Sequence, residues 1–149
     1  MVVVLLQFAD LDSLFYFCKP ASPLKMREPT GIEIFGNPRS NPTLKLSRWV
    51  TQRTALEGRK SASIGEVVLF DETNGNVHEG LISNIFVVIR EVVYTAPADS
   101  VLPGFCRHIV LEGFKRKGVS VVEEFPNVGL LNDWNEVFVC SNGCSFTSC

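Results

Sequence analysis

A chain of 149 residues, 46% hydrophobic and 20% charged, is long enough to bury one core, too short for two full domains and too apolar to be disordered. Its formal net charge of −2, with the basic residues scattered, provides no field to attract nucleic acid or an anionic membrane, which leaves small molecules and proteins as partners. Five cysteines, Cys18, Cys106, Cys140, Cys144 and Cys149, show no zinc pattern, because Cys140 and Cys144 have no second ligand pair and His78 and His108 lie far from them. No metal is expected, and the thiols fit a reducing intracellular compartment, the cytoplasm or an organelle.

The opening MVVVLLQF lacks the basic leading segment of a signal peptide and falls far short of the roughly 20 residues that span a bilayer. Residues 2–6 read instead as a buried strand. The stretch DLDSLFYFCKPASPLKMREPTG carries Pro20, Pro23 and Pro29 and reads as a linker without regular structure. IEIF, residues 32–35, is a short strand closed by Gly36, Pro38 and Pro42. In SRWVTQRTAL, residues 47–56, Trp49 with Arg53 and Val50 with Thr54 are spaced i,i+4, which predicts a helix with Ser47 as N-cap and Gly58 as its stop.

EVVLFD is a strand, ETNGN a hairpin turn with its Asn-Gly pair, SNIFVVIR a second strand and VVYTA a third. In GFCRHIVLEGFKRKG the apolar residues at 105, 109, 110 and 114 predict a helix, with basic residues in its last turn and Gly118 as C-cap. VSVVEEF and EVFVCS follow as strands, with a short helix around residues 130–134 between them. The order strand, helix, strand meander, helix, strands predicts a mixed α/β or α+β domain. A Rossmann pattern is excluded, since no glycine-rich turn joins a strand to a helix near the start.

Three segments line up along this frame: TLKLSRW with Lys45 just before a helix, VHEGLISNIF with Glu79 placed 34 residues after Lys45, and SVLPGFCRHIVLEGFKRKGVSVVEE. Their order and spacing resemble the fold-type IV, or class IV, pyridoxal-phosphate enzymes, which include branched-chain aminotransferase, D-amino-acid aminotransferase and aminodeoxychorismate lyase. The resemblance covers roughly residues 32–141. It implies the large C-terminal domain of the D-amino-acid aminotransferase-like fold over residues 31–149, truncated at its C-terminus. Residues 1–30 are then a remnant of the N-terminal domain and the interdomain linker.

Carried over residue by residue, the resemblance makes Lys45 the catalytic Schiff-base lysine of pyridoxal 5′-phosphate, which also moves the substrate proton. Glu79 would face the pyridine nitrogen, and Leu102 one face of the ring. Gly104, Phe105 and Cys106 open a helix whose N–H groups suit the cofactor phosphate. Ser83, Ser141 and Asn142 are further polar candidates there, and Arg107 would hold the helix start. The implied reaction moves an amino group between an amino acid and a 2-oxo acid, with an aminodeoxychorismate lyase as alternative, in a homodimer.

The chain also departs from the pattern. Cys106 stands where threonine is usual, Val50 where some relatives carry a tyrosine, and Arg39 is nearer the lysine than the family's phosphate-binding arginine. Relatives are nearly twice as long, so a catalytically inactive fragment acting through protein association is the alternative of a different class.

Overall fold

A computed structural model of the chain describes residues 2–10, 13–20, 31–141 and 144–148, with side chains for residues 31–141. Strands β1 (Val2–Asp10) and β2 (Ser13–Pro20) form an antiparallel hairpin as a two-stranded sheet. The strand expected at residues 2–6 falls within β1. β2 corrects the reading of the whole proline-bearing stretch as linker. Pro20 is only its last residue, and the SLFYFCK before it is rich in strand-forming aromatic and apolar residues. The remainder of that linker, residues 21–30, lies outside the described residues.

β3 (Gly31–Ile34) runs parallel to β4 (Ile64–Phe70), joined by a crossover that contains α1 (Arg48–Glu57). β5 (Val77–Gly80), β6 (Asn84–Ile89) and β7 (Val92–Tyr94) continue as an antiparallel meander. A second crossover carries α2 (Phe105–Lys117) to β8 (Val121–Val122), parallel to β7. After a 3-10 segment (Val128–Asp133), β9 (Trp134–Ser141) pairs with β6 and β10 (Cys144–Ser148) with β9. The result is an eight-stranded mixed sheet in the order β10-β9-β6-β5-β4-β3, with β7 also on β6 and β8 on β7. Neither helix is long and apolar enough to cross a membrane.

The run NIFVVI becomes the sheet's centre because both of its faces are covered, which favours a continuous apolar strand over an alternating one. Ile85 and Val87 pack with Val68, Val77, Val137 and Val139 on one face. Phe86, fully buried, faces the other way, stacked on Phe138 at 4.9 Å between ring centroids and edge-on to Phe114 at 6.2 Å. Val67 and Leu69, with Trp49 and Leu56 of α1 against them, form a further cluster. The pairings Val68↔Gly80, Glu79↔Asn84 and Phe86↔Phe138 put Val67, Glu79, Asn84 and Phe86 on one face by strand alternation. Both helices pack there, and the site lies between them.

Several local expectations change. The Asn-Gly turn is present, with Gly75 at φ +76° and the Asp71 carboxylate accepting from the Thr73 N–H at 2.8 Å. The chain does not pass directly to the NIFVVI strand, however. It first forms β5, then turns again within four residues, where the Gly80 N–H donates to the Ser83 carbonyl at 2.8 Å. Ser47 precedes α1 but its side chain makes no cap. Gly118 does end α2 in the left-handed region, at φ +69°. The inward stripe of α2 is displaced from the expected one. Val110 and Phe114 pack inward with Cys106, and Arg107 is buried, while Phe105 and Ile109 are 63% and 49% exposed. The strand expected from VSVVEEF is only two residues long.

This packing predicts opposite outcomes for two phenylalanines, Phe86 of β6 under the inner face of α2 and Phe105 on the outer face of α2. Phe86→Ala should cost about 3–5 kcal/mol through lost burial and a residual cavity. Phe105→Ala should stay within about 0.5 kcal/mol, as surface changes usually do. Urea unfolding of the two variants measures both, and similar losses would contradict the inward stripe of α2.

Candidate functional site

Glu79 and Asn84 are register partners at the ends of the tight turn GLIS, and both side chains reach the backbone of the same residue, Leu102, in a distant loop. A Glu79 oxygen, Oε2, accepts the Leu102 N–H at 3.0 Å, and Asn84 Nδ2 donates to the Leu102 carbonyl at 2.9 Å. The same carbonyl accepts the Gly104 N–H at 2.7 Å. A Cβ on Gly104 would lie 2.5 Å from Asn84 Oδ1, so this close approach requires glycine. The start of α2 is thereby docked against the turn, and no side chain caps its first N–H groups.

The Glu79 side chain is 5% exposed, and its other oxygen is engaged by Arg39, whose Nε and Nη2 both lie 2.7 Å from Oε1. Burial raises the Glu79 carboxyl above its ordinary value, against the Arg39 contact and the Leu102 N–H, which pull it down. Sequence reasoning weighed Arg39 only as a phosphate ligand and missed this pairing. The one available clue was that a carboxylate enclosed by a sheet needs a cation.

A second acid lies behind the turn. Glu66 is nearly buried; its Oε2 accepts the Ser83 hydroxyl at 2.6 Å and its Oε1 accepts the Val67 N–H at 3.0 Å. A Cβ on Gly80 would fall 2.2 Å from Ser83 Oγ and 2.9 Å from the Glu66 carboxylate, so glycine is needed here as well. Burial raises the Glu66 carboxyl, opposed by its hydrogen-bond donors and by Lys60. The hydroxyl proton of Ser83 points at Glu66, which leaves mainly lone pairs for the cleft.

The helices and the turn enclose a cleft of about 300 Å³, at the lower end of small-molecule sites. Lys45, Glu79, Ser83, Leu102, Cys106 and Ser141 all line it. Lys45 is exposed on the segment leading into α1, whose Trp49 donates its indole N–H to the Leu81 carbonyl at 2.8 Å. Leu46, Val50, Leu81 and Ile82 supply apolar wall. Phe105 is not part of the lining; its expected role rested on the backbone of the helix start. Asn142 lies outside the described residues.

At the far end the Cys106 thiol donates to the Ser141 carbonyl at 3.2 Å, closing the start of α2 onto β9. Burial raises the Cys106 thiol and pushes the neighbouring Cys140 up to about 12, so both stay protonated at neutral pH. Arg107 points elsewhere: its Nη2 donates to the Ala96 carbonyl at 2.9 Å and pairs with Glu123 at 2.8 Å, tying α2 to the β7 and β8 loops.

Comparison with known proteins gives one consistent family. The model of amino-transferase class IV matches residues 16–149. A Methanocaldococcus jannaschii protein provisionally named a branched-chain-amino-acid aminotransferase is 33% identical over 100 residues, 66% of this chain and 34% of its own. The crystal structure of Escherichia coli branched-chain amino acid aminotransferase superposes with a TM-score of 0.72 at 21% identity, covering 91% of this chain and 46% of that one. A Legionella pneumophila protein provisionally named a 4-amino-4-deoxychorismate lyase gives 0.69 at 19% identity, covering 91% and 51%. The chain thus spans about a third of the curated relative and about half of these structures.

The buried Glu66 generates a pH prediction. Its folded value is raised above its ordinary value near 4.5, so its contribution to stability is full below that pH and is lost as pH rises through the folded value. Glu66→Gln does not titrate there and escapes that loss. The urea midpoint of the variant relative to the parent should therefore move in the variant's favour between pH 4.5 and 8. A difference that stays constant with pH would contradict burial of this acid.

Proposed function

Because the chain belongs to the class IV aminotransferases, we propose that its cleft holds pyridoxal 5′-phosphate and that Lys45 is the residue bonded to it, for transfer of an amino group between an amino acid and a 2-oxo acid. One observation carries this reading: a buried carboxylate, Glu79, forms the floor of a cleft that Lys45 also lines. The donor set fits the cofactor. A carboxylate suits the ring nitrogen, a primary amine the aldehyde carbon, an apolar Leu102 the ring face, and the uncapped start of α2 with Ser141 the phosphate.

When bound, the cofactor supplies an electron-accepting ring that stabilises negative charge at a substrate α-carbon. The chain's own residues do the rest. Glu79, oriented by Arg39 and by the Leu102 N–H, would hold a proton at the ring nitrogen by charge-assisted hydrogen bonding. Lys45 Nζ would carry the proton to and from the substrate α-carbon. Leu102 would pack against one face of the ring from a backbone whose N–H and carbonyl are both held.

Two observations favour narrower alternatives. The likeness to a structure named as a 4-amino-4-deoxychorismate lyase supports a lyase on the same cofactor. The Cys106 thiol, a weak donor already directed at the Ser141 carbonyl, favours a chain with weakened phosphate binding that acts through association with another protein.

Borohydride reduction after incubation with pyridoxal phosphate, followed by peptide mass mapping, tests the cofactor site shared by the transferase and lyase readings and, with a turnover assay, separates both from the inactive one. Covalent label should concentrate on Lys45 and be lost with Lys45→Ala, and Glu79→Gln should weaken cofactor binding by about 10-fold or more, the worth of a charged hydrogen bond. Label spread evenly over the surface lysines would refute the cofactor site. A Lys45 label without turnover of amino acids would support the inactive reading.

A further inference from the structure

We propose that Arg39 is a positioning residue that holds the Lys45 segment and the Glu79 carboxylate as a single unit. The proposal deepens the cofactor reading above and rests on it for its functional consequence. Its structural part stands on its own.

Besides its two contacts with Glu79, the Arg39 guanidinium donates through Nη1 to the Leu44 carbonyl at 3.3 Å and through Nη2 to the Pro42 carbonyl. It also lies over the Trp49 ring, 5.5 Å from its centroid. The Leu44 carbonyl belongs to the peptide group that contains the Lys45 nitrogen. One planar cation therefore spans the sheet acid, the loop backbone beside the lysine and the helix that follows it.

The loop needs such a tether. Residues 40–46 form neither helix nor strand, and their own backbone bonds, Leu44 N–H to the Asn41 carbonyl and Leu46 N–H to the Leu44 carbonyl, are 3.2 and 3.1 Å long. The Arg39 side chain is 8% exposed, so its donors are shielded from water and committed to these acceptors. A fork-shaped cation spreads its donors over three nitrogens toward separated acceptors, whereas an ammonium has its three donors on a single nitrogen. Because one Glu79 oxygen faces Arg39 and the other Leu102, the remaining lone pairs are left in a fixed direction toward the cleft. Any shift of the carboxylate is thereby transmitted to the lysine backbone.

Amide hydrogen exchange on the full chain without cofactor tests the tether. Arg39→Met should raise exchange of peptides covering residues 40–46 by about 10-fold or more relative to β6. Arg39→Lys should raise it too, because the ammonium cannot reach both carbonyls while it neutralises Glu79. With pyridoxal phosphate added, Arg39→Lys should still bind the cofactor, since Glu79 retains a cation, yet lose selective borohydride labelling of Lys45. Arg39→Met should lose both.

Parent-like exchange at residues 40–46 in Arg39→Lys overturns the proposal, and that variant decides the matter if Arg39→Met does not fold. Parent-like labelling selectivity despite faster exchange overturns the positioning role. Failure of the parent itself to take a label at Lys45 refutes the cofactor reading instead and leaves the exchange result standing.

Discussion

Enclosing a carboxylate within a sheet is costly unless its oxygens are matched, and the architecture around Glu79 follows from that constraint. Arg39 arrives from the segment after β3, and the Leu102 N–H from the segment before α2. These two segments are far apart in sequence, and the two parallel crossovers bring them to one face of the sheet. The cleft is what remains open between the helices once both partners have reached the acid. Its position is thus a by-product of satisfying one charge rather than a separate feature of the fold.

Much of this was legible in the residues because local and global preferences agree. NIFVVI is β-branched and aromatic and is buried on both faces, Asn-Gly marks the turn before β5, and Gly118 occupies the left-handed cap that a helix end favours. Spacing between Lys45, Glu79 and the Leu-Pro-Gly segment pointed to residues that line one cleft. The family that spacing resembled is the family whose model matches residues 16–149.

What was not legible depends on tertiary partners. β5 is a short strand whose central Glu79 looks like turn composition until a cation on another segment pays for its burial. Arg107 turns inward in α2 because Ala96 and Glu123 receive it, which rotates Phe105 and Ile109 outward against their hydropathy. SLFYFCK was masked by the prolines that follow it, although only Pro20 belongs to the strand. Glu66 behind Ser83 carried no pattern at all, since the two meet only after β4 and the turn have packed. In each case the missing information is a long-range contact, which no window along the chain contains.

The docking of residue 102 separates two properties that usually travel together. Its N–H and carbonyl are held by Glu79 and Asn84, so the anchorage is independent of which side chain the residue carries. Substitutions at that position can reshape the wall of the cleft while the loop stays latched to the sheet. Gly80 and Gly104 have the opposite character, because a single added carbon collides with Ser83 or Asn84. Variation in such a pocket is therefore channelled: the wall is free to drift in shape and the hinges that bear it are not.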